Sequence, residues 1–139
     1  MSLVDPLTVI RARLLTQEPV TAIAGTRIYA VSLPTGFNPA PGGEMPDGEP
    51  TGPGLLIISR GGTQDYSSHV WKLSIQIKAI ACDSVVATQL DFAVHTALND
   101  TKWGPVMMIR REQLPQTYTE PKELWDVSLS FYKTHVRQA

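Results

Sequence analysis

Twelve consecutive residues, Val70 to Ala81 (VWKLSIQIKAIA), carry a two-residue period that suits an extended chain and no helix. Trp71, Leu73, Ile75, Ile77 and Ala79 fall on one side, and Lys72, Ser74, Gln76, Lys78 and Ile80 on the other. A strand of this kind needs sheet neighbours along its edges and a cover for its apolar side. The pattern returns near the end of the chain. From Leu124 to Lys133, Trp125, Val127, Leu129 and Phe131 alternate with Asp126, Ser128, Ser130 and Tyr132. This predicts a second long, half-buried strand with its aromatic side in the core.

The cover is legible as helices. Asp5 and Pro6 stand as N-cap and first helical residue, and Leu7, Ile10 and Leu14 follow at spacings of three and four. Val9, Ala12 and Leu15 widen that face while Arg11, Arg13 and Gln17 point to water, which predicts a helix over 6–17 closed by Pro19. Asp83 or Ser84 caps a second helix running to Leu98, with Val86, Leu90, Ala93, Val94 and Ala97 as its apolar stripe. Shorter strands are expected at Thr26–Leu33, Leu55–Ser59 and Val106–Ile109, with Gly61 and Gly62 marking the exit of the second. The sum is an α+β fold: a mainly antiparallel β-sheet with two α-helices packed on one face, in a single domain over residues 1–139.

Residues 34–54 depart from this regularity, holding six prolines and six glycines among 21 residues. Glu44, Asp47 and Glu49 are the segment's only charges, and Phe37 and Met45 its only large apolar anchors. It reads as an extended surface loop with a loosely specified path, and loops this long usually serve a function or stay disordered. We expect it at a contact surface.

No motif assigns a chemistry. The chain lacks G-x-x-x-x-G-K-[ST], H-E-x-x-H and G-x-S-x-G, and its only cysteine, Cys82, permits neither an internal disulfide nor a cysteine-based zinc cluster. His69, His95 and His135 are far apart in sequence, and Asp65, Ser67 and His69 read as turn residues rather than a catalytic set. Gly61 and Gly62 read as a turn rather than an anion loop, and Cys82 as a packed, inert thiol. Thirteen acidic against twelve basic residues give a net charge of −1, so long-range attraction to nucleic acid is not written in the total. Arg110, Arg111 and Arg137 are interspersed with Glu112, Glu120, Glu123 and Asp126, which breaks up any basic path. Trp71, Trp125 and Phe131 read as core rather than as a base-stacking platform. No apolar stretch approaches 18 residues, and early charges interrupt any signal peptide, so a soluble protein without a membrane partner is expected. No catalytic residue, cofactor or metal is assigned.

The ordered segments PLTVIRARLL, VTAIAGTRIYAVSLP, GPGLLIISR, WKLSIQIKAIA, DSVVATQLDFAVHTAL and ELWDVSLSFYKTH together resemble the tail terminator, or tail completion, proteins of long-tailed bacteriophages. Gly25 with Arg27, Ile28 and Tyr29 looks like that family's turn into its first strand, and Leu124 to Tyr132 like its closing strand. The 34–54 excursion is longer than the basic pattern. The resemblance implies a non-enzymatic virion protein that forms a hexameric ring at the head-proximal end of the tail and is assembled in the host cytoplasm. Such a ring caps the tail tube protein, ends tube polymerisation and offers a joining surface to a head completion or neck protein. DNA passes through its lumen without sequence-specific binding.

Within that frame Lys72, Gln76 and Lys78 are candidates for an assembly or channel-facing strand surface, with plain solvent exposure the competing reading. Glu44, Asp47 and Glu49 are candidates for a loop contact between subunits or with the tube. Other functions remain open on the sequence: a different neck or tail-assembly adaptor, a peptide-binding module with an exposed sheet edge, or a small enzyme whose distant side chains meet in a cleft.

Overall fold

The Asp5 carboxylate accepts the Leu7 N–H at 3.1 Å, and Pro6 opens helix α1 (Pro6–Leu15), which buries Leu7, Ile10 and Leu14. The computed structural model describes residues 4–64 and 69–138. Pro19 does more than stop α1. It sits in the first turn of a further helix, α2 (Glu18–Ala24), where a missing N–H leaves no helical bond unmade. The cover therefore has three helices among the described residues, not two. The last, α3 (Ser84–Leu98), begins at Asp83, whose carboxylate accepts the Val85 N–H at 2.7 Å.

The strands are β1 (Ile28–Ala30), β2 (Gly54–Gln64), β3 (Val70–Ala81), β4 (Val106–Arg111), β5 (Gln116–Thr119) and β6 (Asp126–Arg137). They form one sheet in the order β1-β2-β3-β6-β4, with β5 also pairing β6. Only β1 runs parallel to its neighbour, so the α+β, mainly antiparallel architecture expected from the alternation is what the chain adopts. Strand β4 pairs the C-terminal half of β6 and β5 its N-terminal half.

Several boundaries differ from the sequence expectation for local reasons. Strand β1 stops at Ala30 because Val31 turns left-handed, with φ of 75°. Strand β2 does not exit at Gly61 and Gly62 but passes through them in a β-bulge, so that Arg60 and Gly61 together oppose Ser74. Gly61 has φ of 86°, and a Cβ on Gly62 would lie 1.9 Å from the Lys72 carbonyl oxygen. Both positions need glycine. Strand β5 comes from a polar stretch with no apolar period, held by backbone pairing with β6 and by Thr119 Oγ1, which donates to Asp126 Oδ1 at 2.9 Å.

The largest correction concerns β6. Its register sets Tyr132 against Ile75, Ser130 against Ile77 and Ser128 against Ala79, so these residues share the helix-facing side. Ser128, Ser130, Tyr132, Thr134 and Val136 are all fully buried there. The aromatic side of β6, predicted to be core, faces away from the helices. The reason lies in α3, which lays Ala87, Ala93 and Ala97 against the sheet and buries Asp91 among them. Ser130 donates to Asp91 Oδ1, and Arg111 Nη2 approaches Oδ2 at 2.7 Å. Asp91 satisfies Ser130, and Thr134 Oγ1 donates to the Met108 carbonyl at 2.8 Å, so these two polar residues are buried at little cost. Ser128 Oγ, by contrast, has no hydrogen-bond partner among the described residues.

The main core thus joins Ile10, Leu14, Val20 and Ala24 of the first two helices to Leu90, Val94 and Leu98 of α3, over Leu55, Ile57, Ile75, Ile77, Ile109 and Tyr132. Arginines of α1 take part. Arg11 Nε donates to the Ile28 carbonyl at 2.6 Å and Arg13 lies 5.2 Å from the centre of the Trp103 ring, so neither simply points to water.

Candidate assembly surface

The sheet face turned away from the helices has two different ends. At one end Leu56, Ile80 and Val127 form a second apolar cluster, and the 34–54 loop folds over it with Phe37 and Met45 as buried anchors. Phe37 stands edge-on to Tyr29 (centroids 5.8 Å apart) and to Trp125 (5.5 Å). Gly54 permits this approach, since a Cβ there would lie 2.9 Å from the Phe37 ring. The loop tip closes on itself: Met45 N–H donates to the Glu49 carbonyl at 2.7 Å and Gly48 N–H to the Met45 carbonyl at 2.8 Å. The path is specified more tightly than the composition suggests, because aromatic packing and turn hydrogen bonds replace regular pairing.

The other end is open and cationic. The register places Lys72 opposite His135, Ser74 opposite Lys133, and Met108 and Arg110 opposite His135 and Lys133. The bulge in β2 brings the Arg60 guanidinium 4.6 Å over the centre of the Phe131 ring. Arg60, Lys72, Arg110 and Lys133 are all exposed, and two adjoining shallow depressions share Glu112 and Lys133. Glu112 accepts a hydrogen bond from Ser74 Oγ at 3.0 Å, and Arg110 pairs with Asp100 at 2.8 Å. Among the described residues, Arg60, Lys72 and Lys133 have no carboxylate partner. Burial and then the charges of Lys72 and Lys133 hold the His135 imidazole below its ordinary value, so its neutral form is favoured.

Lys72, Gln76 and Lys78 therefore share this face but not one environment. Lys72 is exposed at the open end, Gln76 is half-buried between Ile58 and Phe131, and Lys78 is half-buried beside the capped end, across from Leu56 and Leu129. Glu44, Asp47 and Glu49 are exposed on the loop. Asp47 accepts the Glu49 N–H at 3.0 Å, and Glu49 accepts from Thr26 Oγ1 at 3.3 Å. Asp47 and Glu49 lie close enough to Tyr29 to help burial push its phenol up, against the opposing charge of Arg27.

Arg60, Lys133 and His135 were not read from the sequence as part of this surface. Their membership follows from the bulge and from the β6 register, and the Gly61–Gly62 pair, which reads in the sequence as a strand exit, is the local signal that could have found it. The buried Asp91–Arg111 pair was also missed, since Asp91 interrupts an apolar helix stripe without any motif around it. Cys82 is exposed rather than packed, because it follows the last residue of β3 and precedes the α3 cap. Asp65 and Ser67 lie outside the described residues. His95 and His135 stand on α3 and β6, and burial and Arg111 hold the His95 imidazole below its ordinary value. Among the described residues no group of three or more His, Cys, Asp or Glu side chains is arranged to hold a metal ion. No helix among them is long and apolar enough to cross a membrane. Trp71 is half-buried at the end of β3, with Gly62, Thr63 and Leu73 around it.

The fold has a counterpart among solved structures. A chain in a structure described as "Virion of native gene transfer agent (GTA) particle" is similar over 95% of this chain and 94% of that one, with a TM-score of 0.68 and 14% sequence identity. At that identity the likeness is one of fold. No protein-family model and no curated protein matches the sequence.

Proposed function

We propose that this chain is a structural virion protein of a long-tailed, phage-like particle, and within that class a tail terminator subunit. Six copies form a ring on the last ring of the tail tube protein, stop its polymerisation and present a joining surface to a head completion or neck protein. The ring sits in the virion at the head-proximal end of the tail, after assembly in the host cytoplasm, and DNA passes through its lumen without base recognition. The observation that carries this reading is the end-to-end fold likeness to a chain of a gene transfer agent virion, obtained from a sequence whose element order independently resembles tail terminators. A sheet with one face buried under helices and an open cationic end on the other supports an assembling protein more than an enzyme. Lys72, Gln76 and Lys78 are assigned to the assembly face, and Glu44, Asp47 and Glu49 to a loop contact. We assign no catalytic residue, cofactor or metal.

The fold relative belongs to a whole virion particle rather than to one named component, and this favours a neighbouring neck or tail adaptor as the second reading. Electron cryo-microscopy of intact particles carrying this protein separates the two. A sixfold ring seated directly on the terminal tube ring is expected. A ring higher in the neck, or one of a different symmetry, assigns the adaptor role instead, and a lone copy outside any ring contradicts both.

A further inference from the structure

The loop and the open sheet end carry unmatched charges of opposite sign. The 34–54 segment has three carboxylates, Glu44, Asp47 and Glu49, and no basic residue. The open end has Arg60, Lys72 and Lys133, which have no carboxylate partner among the described residues. Within one molecule the two sets are kept apart. The loop is anchored over Ile80, and roughly 25 Å of strand lies between Ile80 and Lys72 at about 3.3 Å per residue. Charges that far apart are screened at physiological salt, where the Debye length is about 8 Å. The acids at the tip are exposed while Met45 beside them is buried, so the anchored tip presents its charge outwards.

We infer that the open cationic end of one copy receives the acidic loop tip of a second copy. Resting on the ring reading above, this makes the subunit contact heterologous: donor loop and acceptor sheet are different surfaces, so each copy gives one contact and takes one. Such contacts close into a ring when the rotation fits. The acceptor residues are Arg60, Lys72 and Lys133, with Ser74 and Glu112 on the floor between them. The rigid loop lowers the ordering cost of docking, since Phe37 and Met45 already hold it in place. Exposed charge pairs at an interface steer encounter and fix register more than they add affinity, so the contact should weaken markedly with salt.

Charge reversal on each side gives a test that separates a specific pairing from a general loss of stability. One variant carries Glu44→Lys, Asp47→Lys and Glu49→Lys; the other carries Lys72→Glu and Lys133→Glu. Each alone sets like charge against like, and we expect self-association to fall roughly tenfold or more by sedimentation and native mass spectrometry, with thermal unfolding unchanged. Mixing the two variants should restore assembly, because in an alternating ring every loop again meets the opposite charge. Native mass spectrometry then shows three copies of each. Wild-type rings that form with both variants unaffected overturn the inference and leave the ring reading standing. Wild-type protein that stays monomeric at hundreds of micromolar overturns both. If the Lys72→Glu, Lys133→Glu variant assembles normally but loses binding to a short DNA duplex at low salt, the surface faces nucleic acid and the loop pairing is wrong.

Discussion

The two ends of the exposed sheet face share strands β2, β3 and β6, yet one is closed and the other open. At the closed end β3 and β6 present Ile80 and Val127, and Phe37 and Met45 from a distant loop come down on them. At the open end the same strands present Lys72 and His135, which no described segment covers with apolar side chains. A few register positions thus decide whether a proline- and glycine-rich segment becomes a lid. An apolar platform of three aliphatic side chains and two flanking aromatic rings suffices to fix a loop that has almost no regular pairing of its own.

The contrast breaks most directly at Phe37. Phe37→Ala should cost about 3–5 kcal/mol in urea unfolding, because it empties a buried site between Tyr29 and Trp125. Lys72→Ala at the open end should stay within about 0.5 kcal/mol. Equal losses at both ends would mean that the loop is not anchored as described.

The helix-covered face provides the reference for full burial. Burial there raises the Tyr132 phenol to about 12 from 10.0, with Arg111 opposing the shift and Asp91 adding to it. The folded state therefore holds this proton more tightly than the unfolded chain. Its contribution is complete below pH 10.0 and disappears as pH rises towards about 12, a loss of roughly 2–3 kcal/mol at 1.36 kcal/mol per unit. Alkaline unfolding curves should show that slope, and Tyr132→Phe should flatten it. An unchanged slope in the variant would place the titrating group elsewhere.

The smallest effect belongs to the open end. His135 should titrate below 6.5 by NMR, and Lys72→Gln with Lys133→Gln should move it upward, since two of the causes of its depression are removed. Because the folded value is lowered, the stability linked to His135 is present above 6.5 and is lost as pH falls through the folded value. A titration unmoved by the two substitutions would show that the open end is not a connected cationic surface.

Much of this architecture is legible in the residues themselves. The period of Val70–Ala81 sets β3, its bounds and its core side, and Asp83 sets the start of α3. The same reasoning inverts β6, since Trp125, Val127, Leu129 and Phe131 outweigh two serines on any hydropathy scale. What satisfies the buried Ser130 is Asp91, thirty-nine positions away, and no local pattern carries that link. The helix α2 hides behind Pro19, a residue that ends one helix and opens another. The candidate surface was half legible: Lys72, Gln76 and Lys78 share a face as their spacing requires, while Arg60, Lys133 and His135 join them only through pairing and a bulge.

Lysine labelling of the free and the assembled protein, read by mass spectrometry, tests the central claim that the open end of this sheet is where copies meet. Lys72 and Lys133 should react readily in the free chain and become protected in the assembly, while the exposed Lys122 reacts in both. Protection of Lys122 with undiminished reaction at Lys72 and Lys133 would contradict the account.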